Sequence, residues 1–133
     1  MSDKIDFINP AELLKNPAFS QIAITKGSGN TIYIGGQNAI NKDLEIIGKG
    51  DIKLQTEYAL KNIETALISC DATLDSLFKL TIYMVHGQDV RKGFEGAQSF
   101  LKRLSNPPVI TGVVVAGLAN PDYLVEIEAI AFK

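Results

Sequence analysis

Two glutamates near the end of this sequence are its most chemically suggestive residues. Residues 124–131 read LVEIEAIA, and Glu126 and Glu128 interrupt an otherwise apolar run. Side chains alternate between the faces of a β-strand, so both carboxylates lie on one face, about 7 Å apart. The spacing would suit an inverting glycosidase, but nothing else indicates a sugar cleft. The alternative to a functional role is that the carboxylates are exposed to solvent or pair with Lys and Arg on neighbouring strands. This alternative is favoured for Glu128.

Three other features carry weaker signals. His86 is the only histidine and has no second ligand or nucleophile nearby in sequence, which is typical of a surface or capping residue. Cys70 is the only cysteine and has no cationic neighbour, so a buried inert thiol is predicted. Gly35 and Gly36 follow a β-prone run and would let a ligand approach the backbone, although the segment lacks the lysine of a phosphate loop.

Composition narrows the classes of function. The 133 residues suit one domain, 1–133. Thirteen Lys and Arg against fifteen Asp and Glu give a net charge of −2 without a cationic cluster, which disfavours nucleic acid as a partner. Residues 1–10 lack the apolar core of a signal peptide, and no run is long enough for a membrane span. With too few ligands for structural zinc, we expect a cytoplasmic protein with no structural metal and no membrane partner.

The elements that must position these residues follow from local patterns. Positions 21–25 and 31–36 are β-prone and flank turn-forming residues, which predicts a β-hairpin, and 37–51 reads as a loop. Apolar spacing predicts helices capped by Asp51 and Asp89, the second weakened by Gly93 and Gly96. The remaining predicted elements are a helix at 52–70, a strand at 77–85, a helix at 90–104, and strands at 109–116 and 123–132. The predicted fold class is α+β with the order ββαβαββ.

The strand at 109–116 adds a constraint on assembly. Val113, Val114 and Val115 make it nearly wholly apolar, and such a strand requires cover on both faces. Two helices can cover one face of a single sheet. We therefore predict that the other face meets another subunit.

Four segments, in order and at matching spacings, resemble the RidA/YjgF family, also labelled YjgF/L-PSP, over nearly the whole chain. The segment Ile32–Gln37 resembles V-x-V-S-G-Q, and Leu77–Tyr83 resembles V-V-K-x-T-V-Y. Gly50–Gln55, with Asn62 and Leu67 downstream, resembles the family's G-D-I-x-x-Q helix. Leu124–Ala131 matches the closing L-V-E-I-E-A-I-A almost letter for letter.

The resemblance implies a chorismate-mutase-like α+β fold, with a mixed sheet and two helices on one face. It implies a homotrimer in which the sheets line a central barrel and small-molecule ligands bind in clefts between subunits. Archetypal members hydrolyse enamines and imines, such as 2-aminoacrylate, to a 2-keto acid and ammonia, with no metal or organic cofactor.

The chain departs from the family at the substrate-binding positions. The family's P-x-R-[ST] segment carries an arginine that grips the substrate carboxylate, and here Ile110 stands at that position, followed by Thr111 and Gly112. The family tyrosine corresponds to Phe19, and the asparagine on the second helix to Phe94. Glu126 alone survives among the polar site positions, so the resemblance implies that it orients water or binds the ligand. Gly35, Gly36 and Gly112 offer backbone N–H groups to that ligand.

Three hypotheses follow from these departures. The first is an enamine or imine deaminase with a more apolar cleft, poor on 2-imino acids, in which Glu126 polarises water. The second is a non-catalytic trimer that binds a small metabolite or regulates a partner, with Phe19, Phe94 and Ile110 forming an apolar pocket. The third, an endoribonuclease or translation inhibitor, follows from an old family label and is disfavoured by the acidic balance and the absence of a histidine pair.

Overall fold

The computed structural model describes residues 4–133, so positions 1–3 of the predicted domain and of the N-terminal segment lie outside the described residues. The elements in chain order are β1 (Ile5–Ile8), β2 (Ile22–Thr25), β3 (Thr31–Gln37), α1 (Ile52–Ser69), β4 (Leu77–Val85), α2 (Val90–Leu101), β5 (Val109–Val115) and β6 (Val125–Phe132). A short 3₁₀ turn at Leu74–Ser76 leads into β4. The predicted α+β class is confirmed.

A four-stranded mixed sheet with the order β3-β6-β4-β5 organises the molecule. Strand β6 runs antiparallel to both of its neighbours, whereas β4 and β5 are parallel. Alternate residues of β4 and β6 are buried in one apolar core with both helices. The core residues from these strands are Leu77, Leu80, Ile82, Met84, Val125, Ile127, Ala129 and Ala131. We call this side of the sheet the helix face and the opposite side the open face.

Both helices begin where the sequence predicts. The Asp51 carboxylate accepts a hydrogen bond from the Leu54 N–H (3.0 Å), and Asp89 accepts one from the Arg91 N–H (3.0 Å), as N-caps do. Helix α2 ends at Leu101, one turn before the predicted end at position 104. The Leu104 N–H bonds instead to the Leu101 carbonyl (3.2 Å), because the chain tightens into a turn ahead of consecutive prolines.

Two glycines of α2 bring the helix close to its neighbours. A Cβ added at Gly96 would collide with the backbone carbonyl of Lys53 in α1, and one at Gly93 would lie 2.6 Å from the terminal methyl of Met84. The helix propensity lost at these positions is therefore offset by close packing of α2 on α1 and on the sheet.

The predicted β-hairpin is wrong. Strand β2 pairs with β1, which the sequence analysis missed, and β3 pairs with β6. The order within the described residues is therefore βββαβαββ rather than ββαβαββ. Local turn propensity at 26–30 indicated a chain reversal, but β3 pairs with the distant apolar β6, where Ile34 is buried beside Ala129.

The prediction of a buried thiol at position 70 is also wrong. Cys70 is exposed because it is the C-cap of α1, where the chain leaves the helix at the surface.

The loops near α1 are held by the buried side-chain amide of Gln55. Gln55 donates to the Gly48 and Asp122 carbonyls (3.2 and 3.0 Å) and accepts from the Leu124 N–H (2.9 Å).

The open face is partly polar and incompletely covered. It carries half-buried residues of the two central strands, namely Thr81, Tyr83, Glu126, Glu128 and Ile130, together with Tyr33 of β3, which is 77% exposed. At the β5 edge, Val113 and Val114 are exposed, so the structure of one chain does not cover this apolar strand on both faces. Neither helix between residues 4 and 133 combines the length and apolar character of a membrane span.

Gly96→Ala is expected to lower the free energy of unfolding by about 1 to 3 kcal/mol, because a backbone carbonyl cannot move aside cheaply. This net loss already includes the gain of about 1 kcal/mol that alanine brings to a helix. Gly93→Ala is the matched control and is expected to cost less, because the end of the Met84 side chain can shift. Urea unfolding of both variants measures the difference, and equal or reversed effects would contradict the packing argument.

Candidate functional site

Glu126 lies on the open face of β6, directly opposite Tyr83 of β4. The Asn38 side-chain amide donates to its Oε1 (3.3 Å). On the other side its carboxyl group occupies the space above Gly36, where an added Cβ would collide with Oε2. Gly36, the second glycine of the G-G-Q segment, therefore leaves room for the carboxylate in this position. Gly35 has open space at its Cβ position and is exposed.

Glu128 has a different partner from the Lys or Arg considered in the sequence analysis. Its Oε1 accepts a hydrogen bond of 2.5 Å from the Tyr83 hydroxyl. This bond raises the pKa of Tyr83 above its ordinary value, and burial and the two nearby carboxylates act in the same direction. Glu128 is thus engaged within the sheet, whereas Oε2 of Glu126 has no hydrogen-bond donor among residues 4–133.

A second group of predicted site residues lies on the helix face, near the β5 edge. A Cβ added at Gly112 would be in ordinary contact with the Phe94 ring, 3.8 Å from Cζ. The two residues line a cavity of about 300 Å³ between α2 and the sheet, together with Ile82, Met84, Val90, Val113 and Val114. This lining contains no charged side chain. Ile110 lies two residues before Gly112 on the same face and is half-buried against the core.

The remaining two predicted site residues lie near β5 but outside this cavity. Thr111 points to the open face, where its hydroxyl accepts a hydrogen bond from the Lys79 ammonium group (2.8 Å). Phe19 is half-buried at the start of β5, where the adjoining Ser20 bonds to the Pro107 and Pro108 carbonyls (2.6 and 2.9 Å).

The structure therefore brings the predicted site residues into two groups rather than one. Phe94, Ile110 and Gly112 belong to the helix face, whereas Glu126 with Gly36 belongs to the open face. The strand register fixes this separation, since Gly112 pairs with Ile82 of the core and Glu126 pairs with Tyr83. A sheet lies between the two groups within one chain.

Sequence reasoning missed Asn38 and Tyr83. Each contacts a predicted carboxylate only because strand pairing brings distant positions together, and the sole local signal for Asn38 is that it follows the G-G-Q segment. The His86 side chain is exposed, in the loop between β4 and α2. Across residues 4–133, no three His, Cys, Asp or Glu residues group closely enough to hold a metal ion.

The arrangement can be compared with known proteins. Residues 11–133 match the family model described as Endoribonuclease L-PSP. The chain belongs to the Rid (YjgF/L-PSP) family. This confirms the resemblance that the four sequence segments indicated.

Relatives and solved structures of the Rid family agree with this assignment. A RutC family protein of Pyrococcus abyssi is 35% identical over 105 residues, which are 79% of this chain and 80% of the relative. The RutC family protein UK114 of Drosophila melanogaster is 32% identical over 103 residues, 76% of this chain and 71% of the relative. YyfB from Yersinia pestis, whose crystal structure is described as a protein of unknown function of the conserved Rid family, has a TM-score of 0.87 at 30% identity. The match covers 96% of this chain and 98% of YyfB.

Tyr83 is expected to ionise above its ordinary pKa of about 10, and Glu128→Gln should lower that pKa toward the ordinary value. Since the folded state keeps this proton after the unfolded chain has lost it, the contact stabilises the fold below pH of about 10. That stabilisation is lost as the pH rises through the raised pKa. Tyrosinate absorbance, with Tyr83→Phe to identify the signal, measures the shift. A Tyr83 signal that does not respond to Glu128→Gln would contradict the assigned cause.

Proposed function

We propose that this Rid protein hydrolyses imines or enamines that lack a carboxylate, in a cleft between two copies of the chain within a homotrimer. The observation that carries this proposal is the contrast between the two groups. The Glu126 carboxylate is fixed by a hydrogen bond to one of its oxygens, and the other oxygen can bind water. The cavity at Phe94 and Gly112, in contrast, has no charged side chain in its lining. Such a site suits a substrate whose imine group lies at the Glu126 carboxylate and whose remaining atoms are apolar.

Two copies are needed because the sheet separates the groups within one copy. The β5 edge of one copy, with its cavity, would lie against the side of another copy that carries Gly36 and Glu126. Exposure of Val113, Val114 and Tyr33 supports this arrangement, since a partner would remove these apolar side chains from water. The homotrimer that the family resemblance implies supplies such a partner for each cleft.

Glu126 acts on water in the proposed reaction. It takes one proton from the water as the water oxygen bonds to the imine carbon, and it passes that proton to nitrogen, which gives a carbinolamine. Transfer of the hydroxyl proton to nitrogen by the same route breaks the C–N bond, releases ammonia and leaves a carbonyl. The backbone N–H groups of Gly35, Gly36 and Gly112 would bind the ligand.

Ile110 sets the expected specificity. An apolar side chain cannot form the two-pronged bond that an arginine makes with a substrate carboxylate. Losing a buried charged partner costs about 2 to 5 kcal/mol, which corresponds to about 30-fold to several thousandfold in affinity. Activity on 2-aminoacrylate is therefore expected to be poor.

A second candidate function is ligand binding without turnover. The uncharged lining around Phe94 favours it, because a cavity of this kind would bind an apolar metabolite without contributing to chemistry. This candidate predicts stabilisation by a ligand and no release of ammonia. Endoribonuclease activity, the label in the family description, has the least support, since the net charge is −2 and the chain has one histidine.

The test is hydrolysis of the imine that a flavin amine oxidase releases from an apolar amine, with semicarbazide trapping the imine that remains. The wild-type protein is expected to consume the imine above the spontaneous rate. Glu126→Gln should lower this rate at least about tenfold, because an amide cannot accept the proton. Glu128→Gln is the matched control and should retain most of the rate. Absence of turnover with ligand-dependent stabilisation would favour the binding function, and equal effects of the two variants would refute the role of Glu126.

Ile110→Arg tests the specificity argument separately. The substitution should produce or increase hydrolysis of 2-aminoacrylate by about 30-fold or more in kcat/KM, because it supplies the missing carboxylate partner. Ile110→Lys is the matched control and should give a smaller gain, since an ammonium group is a point charge without the guanidinium fork. If both variants are inactive, the cleft differs from that of archetypal members by more than this contact.

A further inference from the structure

A continuous set of hydrogen bonds connects helix α1 to Glu126 through the loop after β3. The Asn62 side-chain amide of α1 donates to two carbonyls of this loop, those of Asn38 (3.0 Å) and Ile40 (3.1 Å). The backbone at Asn38 is therefore tied to the helix on one side. Its side chain points the other way, to β6.

The loop that carries Asn38 is ordered by its own contacts. The Ile47 N–H donates to the carbonyl of Ala39 (2.8 Å), and Ala39 is fully buried. Asn41 Oδ1 accepts from the N–H groups of Asp43 and Glu45 (2.9 and 3.0 Å). Asn38 thus lies on a well-braced segment rather than on a free loop.

The amide orientation of Asn38 follows from its two acceptors. Nδ2 lies 3.1 Å from the Val125 carbonyl oxygen and 3.3 Å from Oε1 of Glu126. Both of these oxygens are acceptors, so only the NH₂ end of the amide can face them, and the opposite rotamer would place three oxygens together. One amide group therefore binds the β6 backbone and the adjacent carboxylate at the same time.

We infer that Asn38 is a positioning residue for Glu126. It holds Oε1, while Gly36 leaves room for Oε2, which has no hydrogen-bond donor among residues 4–133. That oxygen is the one available to water or ligand. The contribution of Asn38 to hydrolysis rests on the proposed function, but its hold on the Glu126 side chain does not.

Side-chain NMR of the full chain tests the contact and its effect without any turnover. The Asn38 side-chain amide resonances should move in Glu126→Gln, which removes the carboxylate charge, and should stay in place in the matched control Glu128→Gln. In Asn38→Ala, ¹³C relaxation at Cγ of Glu126 should report a more mobile side chain. In Asn41→Ala, which removes contacts farther along the loop while Asn62 still holds the backbone at Asn38, that mobility should rise less than in Asn38→Ala.

Several results would overturn the inference. The first is that the Asn38 amide resonances do not shift in Glu126→Gln, or shift equally in Glu128→Gln. The second is that the mobility of the Glu126 side chain is unchanged in Asn38→Ala, or is raised equally in Asn41→Ala. Where the wild-type protein hydrolyses an imine, Asn38→Ala should lower kcat about tenfold with KM nearly unchanged, as expected for loss of a hydrogen bond to a charged group. Absence of wild-type turnover would refute the proposed function and leave the NMR result to decide the role of Asn38.

Discussion

The placement of β6 between β3 and β4 is the constraint on which the rest of the structure depends. Its alternating residues divide into an apolar set that enters the core and a set on the open face that includes both carboxylates. A shift of one residue in either register would bury Glu126 and Glu128 and expose the apolar set, so the burial energy of the core also fixes the faces on which the carboxylates lie.

Two side-chain amides of α1, those of Gln55 and Asn62, fix the loops next to β6 and β3. Gln55 satisfies backbone groups in two loops from inside the protein, and Asn62 does the same for the loop that carries Asn38. Both amides belong to the G-D-I-x-x-Q helix segment that resembles the family, and the structure shows that they hydrogen-bond to neighbouring loops. Helix α1 thus holds the loop after β3 and the loop before β6, because buried carbonyl groups without hydrogen-bond donors would destabilise the fold.

The parts of the fold that sequence could predict are those encoded locally. Asp51, Asp89 and the apolar spacing that follows each of them place the helix starts correctly, because capping and amphipathicity act over a few residues. The partner of β3 could not be predicted in the same way. Neither could the Tyr83–Glu128 bond or the division of Ile110 and Glu126 between opposite faces. Each depends on the register between segments far apart in the chain. Family resemblance supplied the candidate site residues as a group of positions, but it could not say which of them lie together in one chain.

The late position of β6 in the chain has a consequence for biosynthesis. A nascent chain that has reached the end of β5 already contains both helices, β3 and β4, yet it lacks the strand that separates β3 from β4 in the sheet. Until residues 125–132 leave the ribosome, the apolar residues of β4 have no neighbour on one side, and β3 has no partner in its sheet. Such long-range pairing is slow to form, so the growing chain exposes unpaired strand edges, which are prone to aggregation, until β6 is available. The same strand that sets the faces of the finished sheet thus also sets the moment at which the four-stranded sheet can form.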